Sequence, residues 1–326
     1  MDTNFGEAQN VALTILVDNH ADLIVKSTDT VKYFTKKPLL AEHGFAALID
    51  LQEAGIRILW DAGITPLALL ENMKRMEIDP PTIQKIVLSH GHADHTAGVT
   101  EFLKGLDLRP KPKEWGSDAT LEEMGRWAQV QRIPVIAHPA AFRERWLVDK
   151  EGKRIGPVLP PPRAEWEAVG AEVILSEGPY ELGPGCWTTG TIPRLSFEKS
   201  GRPSTLFYRQ DDQFIRDDIE EDQALVIHVK DKGLVILSGC AHSGIVNTIN
   251  AAREISGVER VWAVLGGFHL ASALEDEIQE TVAAVKKFKP VMIVPSHCTG
   301  FKAACRFAAQ MPEEFALGVV GTTYLF

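Results

Sequence analysis

The stretch that decides how this chain is read is Ile86-Val87-Leu88-Ser89-His90-Gly91-His92-Ala93-Asp94-His95-Thr96-Ala97-Gly98. An apolar run ends in it, and three histidines and an aspartate follow within six positions, in a chain with only 10 histidines among 326 residues. Imidazole and carboxylate both bind divalent metals such as Zn and Fe. In an extended turn His90 and His92 point to the same side, because side chains alternate. Asp94 and His95 fall where the chain curls into a helix, so they point elsewhere. One loop can therefore serve two neighbouring metals. The helix N-terminus at Asp94 also favours negative charge.

Bulk properties narrow the partners. The chain is 45% hydrophobic and 24% charged with a net charge of −10, which is ordinary globular composition. No basic stripe is present, so nucleic acid is not expected. A small-molecule substrate is, and an anionic one must be attracted by local features such as metals. Cys186, Cys240, Cys298 and Cys305 are too scattered for a disulfide framework, so a reducing cytoplasm is expected. The N-terminus is acidic where a signal peptide would be basic. No run approaches the ~20 apolar residues of a membrane span. Association as a homodimer is left open.

Along the chain, strand-like apolar runs repeatedly end in polar residues. Val11–Val17 leads to Asp18-Asn19-His20, of which Asn19 is the best candidate for lining a site. Phe45–Leu51 and Arg57–Trp60 flank a hairpin turn, and the second ends in Asp61-Ala62-Gly63. His43, just before this pair, reads as a buried structural histidine. Apolar spacing predicts helices over Ile64–Met76, Thr96–Leu106 and Thr120–Gln131, with a loop from Arg109. Ile133–Ala137 reads as a short strand ending in His138, a further site candidate. Residues 104–170 are expected to form an elaborated segment over the site mouth within one domain spanning 1–326, since they carry too few periodic apolar elements for a core of their own.

The second half strengthens the metal reading. Gly233–Leu237, Val261–Leu265 and Val291–Val294 are strand-like, and each is followed by a histidine: His242, His269 and His297. Strands that release metal-type residues at one sheet edge are how layered α/β enzymes build sites. His228 lies inside a strand and reads as structural.

Ser89-His90-Gly91-His92-Ala93-Asp94-His95 resembles the His-x-His-x-Asp-His signature of the metallo-β-lactamase superfamily. With Gly-Cys-Ala-His-Ser-Gly-Ile-Val-Asn, Gly-Gly-Phe-His-Leu, Pro-Ser-His-Cys-Thr-Gly and Thr-Gly-Thr-Ile-Pro-Arg, the resemblance extends from Leu16 to His297. These motifs are similar to one branch, the dihydropterin-ribofuranosylaminobenzene-phosphate synthase-like metal-dependent hydrolases. The resemblance implies a four-layer αββα sandwich, a supporting role for Asp61 and a last ligand at His297. It also shows departures. Gly239-Cys240 stands where the family has Gly-Asp, and Thr189-Gly190-Thr191 near where it has Gly-His-Thr.

The ligand set this implies is His90, His92, Asp94, His95, His242 and His297, holding two divalent metals, most simply Zn2+, with Mn2+ or Fe2+ as alternatives. His242 takes over from the missing carboxylate, and Cys240 is read as a small buried apolar residue beside it, with a thiolate ligand as the alternative. His269 or His138 completes the set or faces substrate. Asp94, and His242 with it, are the catalytic candidates, Asp94 as acceptor of a water proton. Arg194 is expected to hold a phosphate or carboxylate, as are the amides of the helix after Gly244. The activity implied is hydrolysis of a small anionic ester, lactone or phosphoester. A pterin-type transfer and a non-catalytic metal-binding protein are the alternatives.

Overall fold

The computed structural model describes residues 5–108, 114–128, 132–149, 151–198 and 205–326. The first elements are β1 (Val11–Val17), β2 (Val31–Tyr33), β3 (Ala46–Leu51), β4 (Ile56–Trp60), α1 (Pro66–Arg75), β5 (Lys85–Val87), α2 (Ala93–Thr96) and α3 (Val99–Gly105). Next come α4 (Leu121–Ala128), β6 (Ile133–Ala137), β7 (Arg145–Val148), β8 (Arg154–Val158), α5 (Arg163–Ala168), β9 (Ala171–Leu175), β10 (Tyr180–Gly183) and β11 (Cys186–Thr188). The chain continues through β12 (Leu206–Gln210), β13 (Gln213–Arg216), β14 (Ala224–Val229), β15 (Gly233–Ser238) and α6 (Ile245–Ser256). It closes with β16 (Val261–Gly267), α7 (Glu275–Lys287), β17 (Met292–Ser296), α8 (Phe301–Gln310) and β18 (Thr322–Leu325).

Two large sheets face each other. One runs β2-β18-β1-β3-β4-β5-β6-β9 and the other β10-β11-β14-β15-β16-β17. Leu13, Ile49 and Trp60 of the first pack against Leu225, Val235 and Leu265 of the second. On the outer side of the first sheet, Leu69, Phe102 and Trp166 of α1, α3 and α5 cover Leu48, Ile86 and Val135. On the outer side of the second, Ile249, Ile278 and Phe307 of α6, α7 and α8 cover Val226, Ile236 and Val264. The result is the four-layer αββα arrangement. Every residue of β1 and β15 is buried, and apart from Thr14 and Ser238 none is polar, since strands covered on both faces read as near-continuous apolar runs instead of alternating.

The topology sets the site. β15, β16 and β17 are parallel neighbours, so the loops after them leave from one edge. β4 and β5 are likewise parallel and release Asp61 and the His90–His95 loop. Parallel strands place their C-terminal ends together, the usual location of sites in such sheets.

Several expectations change. Residues 104–170 do not form one segment over the site. β6 runs in the core of the first sheet, parallel to β5 and β9, and α5 carries the fully buried Trp166. Among the described strands of this stretch, β7 and β8 leave the sandwich and join β12 and β13 in a separate sheet of four strands. A further core strand, β18, follows His297 and pairs with β1. The helix expected over Thr120–Gln131 spans Leu121–Ala128, and its last positions, with most of the loop from Arg109, lie outside the described residues. No described helix is long and apolar enough to cross a membrane.

Trp166→Ala tests the place of α5. Trp166 is fully buried and its indole N–H donates to Thr100 at 3.0 Å. The substitution should cost about 3–5 kcal/mol in urea unfolding, whereas a side chain on a detachable cap would cost almost nothing.

Candidate metal centre

The metal loop is held by one buried carboxylate. Asp61 ends β4, with Oδ1 accepting the Ser89 amide at 2.7 Å. Its Oδ2 accepts the Ser89 hydroxyl at 2.6 Å and pairs with His95 Nδ1 at 2.7 Å. Ser89 Oγ lies 2.9 Å from His90 Nδ1. On the far side Asn19 Oδ1 lies 3.1 Å from His297 Nδ1, and Asp18 accepts the His297 amide at 3.2 Å. In each pair the Nδ1 faces an oxygen, which turns the Nε2 of His90, His95 and His297 inward. Second partners of this kind fix the tautomer that a metal needs.

The inward groups form linked clusters. His90, His92 and His242 make one, and Asp94, His95, Cys240 and His297 make the second, the ligand atoms within each lying no more than 4.8 Å apart. Cys240, His242 and His269 form a third by the same measure, so Cys240 joins both sides. His90 Nε2 and His242 Nε2 are 3.3 Å apart, and His95 Nε2 is 3.2 Å from Cys240 Sγ. Asp94 Oδ2 lies 3.3 Å from His297 Nε2 and 3.6 Å from His95 Nε2.

This arrangement fits a divalent metal better than it fits self-contained hydrogen bonding. His92 Nε2 and His297 Nε2 are buried without a hydrogen-bond partner, a costly state for a polar atom. Burial, reinforced by neighbouring imidazoles, holds His90 and His242 well below the usual histidine range. Burial lowers His92 to about 4. These rings are neutral at pH 7 and offer lone pairs. Burial also opposes charge on His95, but Asp61 outweighs it and raises His95 to about 9, so the surrounding carboxylates favour positive charge at this place, as a bound cation would supply. Burial opposes ionisation of Asp94 as well, yet the neighbouring ring of His297 and the charge of His95 hold its carboxyl below the usual range.

Cys240 is buried at 3% exposure, as expected of a small apolar residue, but its sulfur lies among the ligand atoms, so it is not a bystander. Gly239 explains its delivery. A Cβ there would sit 2.0 Å from Ser89 Oγ and 3.0 Å from Asp61 Oδ2. Only glycine lets β15 come close enough to set Cys240 beside His95. Ala241, His269, His297 and Asp61 all adopt positive φ, backbone strain that concentrates at functional sites.

Other expected residues take different roles. His138 is buried, but its Nε2 bonds Thr191 at 2.9 Å and its Nδ1 accepts the Ala140 amide. It anchors the Thr-Gly-Thr turn and joins none of the clusters. Arg194 donates to the carbonyls of Asp218 and Ile219, which clamps a loop. The amides opening α6 do meet an anion, but it is the chain's own: Glu198 accepts from Val246 at 2.9 Å and Asn247 at 3.2 Å. Asn19 serves as the prop for His297. His269 is exposed, with its ring 4.2 Å from that of His242. His228 stays in β14, as expected.

His43 is the clearest correction. It is not buried; its side chain is 64% exposed, with Nε2 3.4 Å from Asp94 Oδ2. Ser89, Asp18 and Asp222 were not singled out either. Asp222 accepts the Ser243 amide at 2.8 Å and so steadies the turn that carries His242. The signal for Asp18 and Ser89 was present, since both are polar residues at the end of a buried strand.

Asp61→Asn keeps the side-chain volume but weakens the acceptor that orients His95 and Ser89. Metal affinity measured by calorimetric titration should fall about 10–100-fold, with the fold retained by circular dichroism. Unchanged affinity would remove Asp61 from the centre.

A family model described as the metallo-beta-lactamase superfamily matches residues 41–251. A Methanocaldococcus jannaschii protein named 7,8-dihydropterin-6-methyl-4-(beta-D-ribofuranosyl)-aminobenzene-5'-phosphate synthase is 32% identical over 318 residues, covering 96% of this chain and 95% of its own. Among solved structures, one described as a metal-dependent hydrolase of the beta-lactamase superfamily matches with a TM-score of 0.69 at 21% identity, over 96% of this chain and 98% of the other. Zn2+-bound PqqB from Methylobacterium extorquens matches with a TM-score of 0.52 at 12% identity, over 96% of this chain and 99% of the other. These two structures speak to the fold alone. The layered fold, the histidine-rich sheet edge and the match of family model and relative along the chain together place this protein in the metallo-β-lactamase superfamily.

Proposed function

We propose that the chain is a dinuclear metal-dependent hydrolase acting on a small anionic ester, lactone or phosphoester. The observation that carries this reading is the convergence of His90, His92 and His242 beside Asp94, His95, Cys240 and His297, with buried ring nitrogens left unpartnered. Bound divalent metals supply Lewis acidity and a nucleophilic water at neutral pH. A thiol among imidazoles favours Zn2+ over harder ions, with Mn2+ or Fe2+ as alternatives.

The chain's own groups divide the remaining work. The neutral rings of His90, His92 and His242 give one ligand set. His242 completes that set beside His90 and His92. Asp94, His95 and His297 give the second set, and Cys240 lies between the two, where the family pattern has an aspartate. The Asp94 carboxylate keeps some access to solvent, with its side chain 18% exposed, and is ionised at neutral pH. It is positioned to accept a proton from an attacking water.

A transfer reaction is the second reading. It is favoured by the 32% identity to the synthase along nearly the whole chain. There an arylamine nucleophile would replace water, and pyrophosphate would leave from a pterin diphosphate. The same clusters would serve, since both reactions need charge stabilised on departing or attacked oxygens.

Metal analysis of protein purified without chelator should return about two divalent ions per chain. A value near zero, with no uptake of added Zn2+, Mn2+ or Fe2+, would rule out both readings. Turnover of simple esters, lactones or phosphodiesters supports hydrolysis. Turnover only with a pterin diphosphate and an arylamine supports transfer. His92→Ala should lower either activity by at least about 100-fold while leaving thermal unfolding nearly unchanged.

A further inference from the structure

His43 is an exposed side chain at the edge of the ligand set, its Nε2 3.4 Å from Asp94 Oδ2, and it belongs to none of the ligand clusters. Its ring lies 5.1 Å from that of His297, centroid to centroid, on the solvent side of the Asp94 cluster. The backbone around it is clamped. The Phe45 amide donates to the Asp94 carbonyl at 3.1 Å. The Gly44 amide reaches Asn19 Oδ1 at 3.4 Å, the same oxygen that orients His297. Gly44 has φ +153, and a Cβ there would meet the Asp94 carbonyl at 2.8 Å and the Ile64 amide at 2.9 Å. The crossing is therefore as close as backbone allows, and it carries the imidazole to the rim of the site.

Stability does not explain this placement. An exposed ion pair contributes little, and a ring so open to water buries little apolar surface. The anion-binding groups expected from the sequence are also engaged: Arg194 holds carbonyls and the amides opening α6 hold Glu198. We propose that His43 is a substrate-contacting residue, whose ring N–H donates a hydrogen bond to an anionic oxygen, phosphoryl or carboxyl, of a ligand bound at the Asp94–His95–His297 side. The donor role needs only one ring proton and no change of charge. This inference rests on the metal-enzyme reading and names the group that would read the substrate's anionic oxygen.

The test uses the metal-loaded full chain and inorganic phosphate as probe. Metal content, phosphate affinity by calorimetry, and kcat and KM on whichever ester or phosphodiester is turned over are compared for wild type, His43→Ala and His43→Gln. The expected result is unchanged metal content and unfolding temperature, with phosphate affinity and kcat/KM reduced about 10–100-fold in His43→Ala. His43→Gln, which keeps an N–H donor, should recover part of the loss. Equal phosphate affinity in wild type and His43→Ala overturns the proposal while the metal-enzyme reading stands. So does a metal-loaded wild type that binds no phosphate. Loss of metal in His43→Ala would make His43 a support of the centre and also overturn the substrate role. A wild type that takes up no metal overturns the underlying reading instead.

Discussion

The carboxylate of Asp61 is the interaction on which the rest of the site depends. It is fully buried and binds the amide and hydroxyl of Ser89 and the Nδ1 of His95. A buried charge is tolerable only when its hydrogen bonds are made. This one is satisfied only when the ends of β4 and β5 and the start of α2 are all in place. The same contacts hold the His95 ring and, through Ser89, that of His90 in place. Asp61 therefore couples the folding of the first sheet to the chemistry at its edge.

The second sheet arrives at this group through a steric condition. Gly239 lies against Ser89 and Asp61 with no room for a Cβ, and the next residue is Cys240. The parallel order β15-β16-β17 then brings His242, His269 and His297 to the same edge. The two halves contribute different partners: β5 and its loop supply a dense local cluster, while β15 to β17 supply single residues from separate loops. The centre exists only when the sandwich closes around the shared core of Leu13, Trp60, Leu225 and Leu265.

This division explains what the sequence made legible. His90, His92, Asp94 and His95 could be read because spacing within one loop is enough to place them. His242, His269 and His297 could be read because a strand pattern precedes each. The role of Cys240 could not, since it depends on how close Gly239 approaches a residue some 150 positions earlier. His43 was misread for a similar reason: Glu42-His43-Gly44 looks like the lead into a strand, and only the contact of Gly44 with Asp94 places the ring at the site. Arg194 and the α6 amides were plausible anion holders, but the fold satisfies them with its own carbonyls and with Glu198. The sheet of β7, β8, β12 and β13 leaves little mark on the sequence because its strands are short and expose much of their apolar surface, so no buried face imposes a pattern. β18 leaves as little because its partner β1 lies at the opposite end of the chain.

The proposed centre has two neighbouring metal positions joined at Cys240. Anomalous diffraction from crystals of the zinc-loaded protein tests it directly. Two peaks are expected, one about 2.1 Å from ring nitrogens of His90, His92 and His242 and one at that distance from His95 and His297, with Cys240 Sγ about 2.3 Å from at least one of them. A single peak, or two peaks with the Cys240 sulfur out of bonding reach of both, would contradict it.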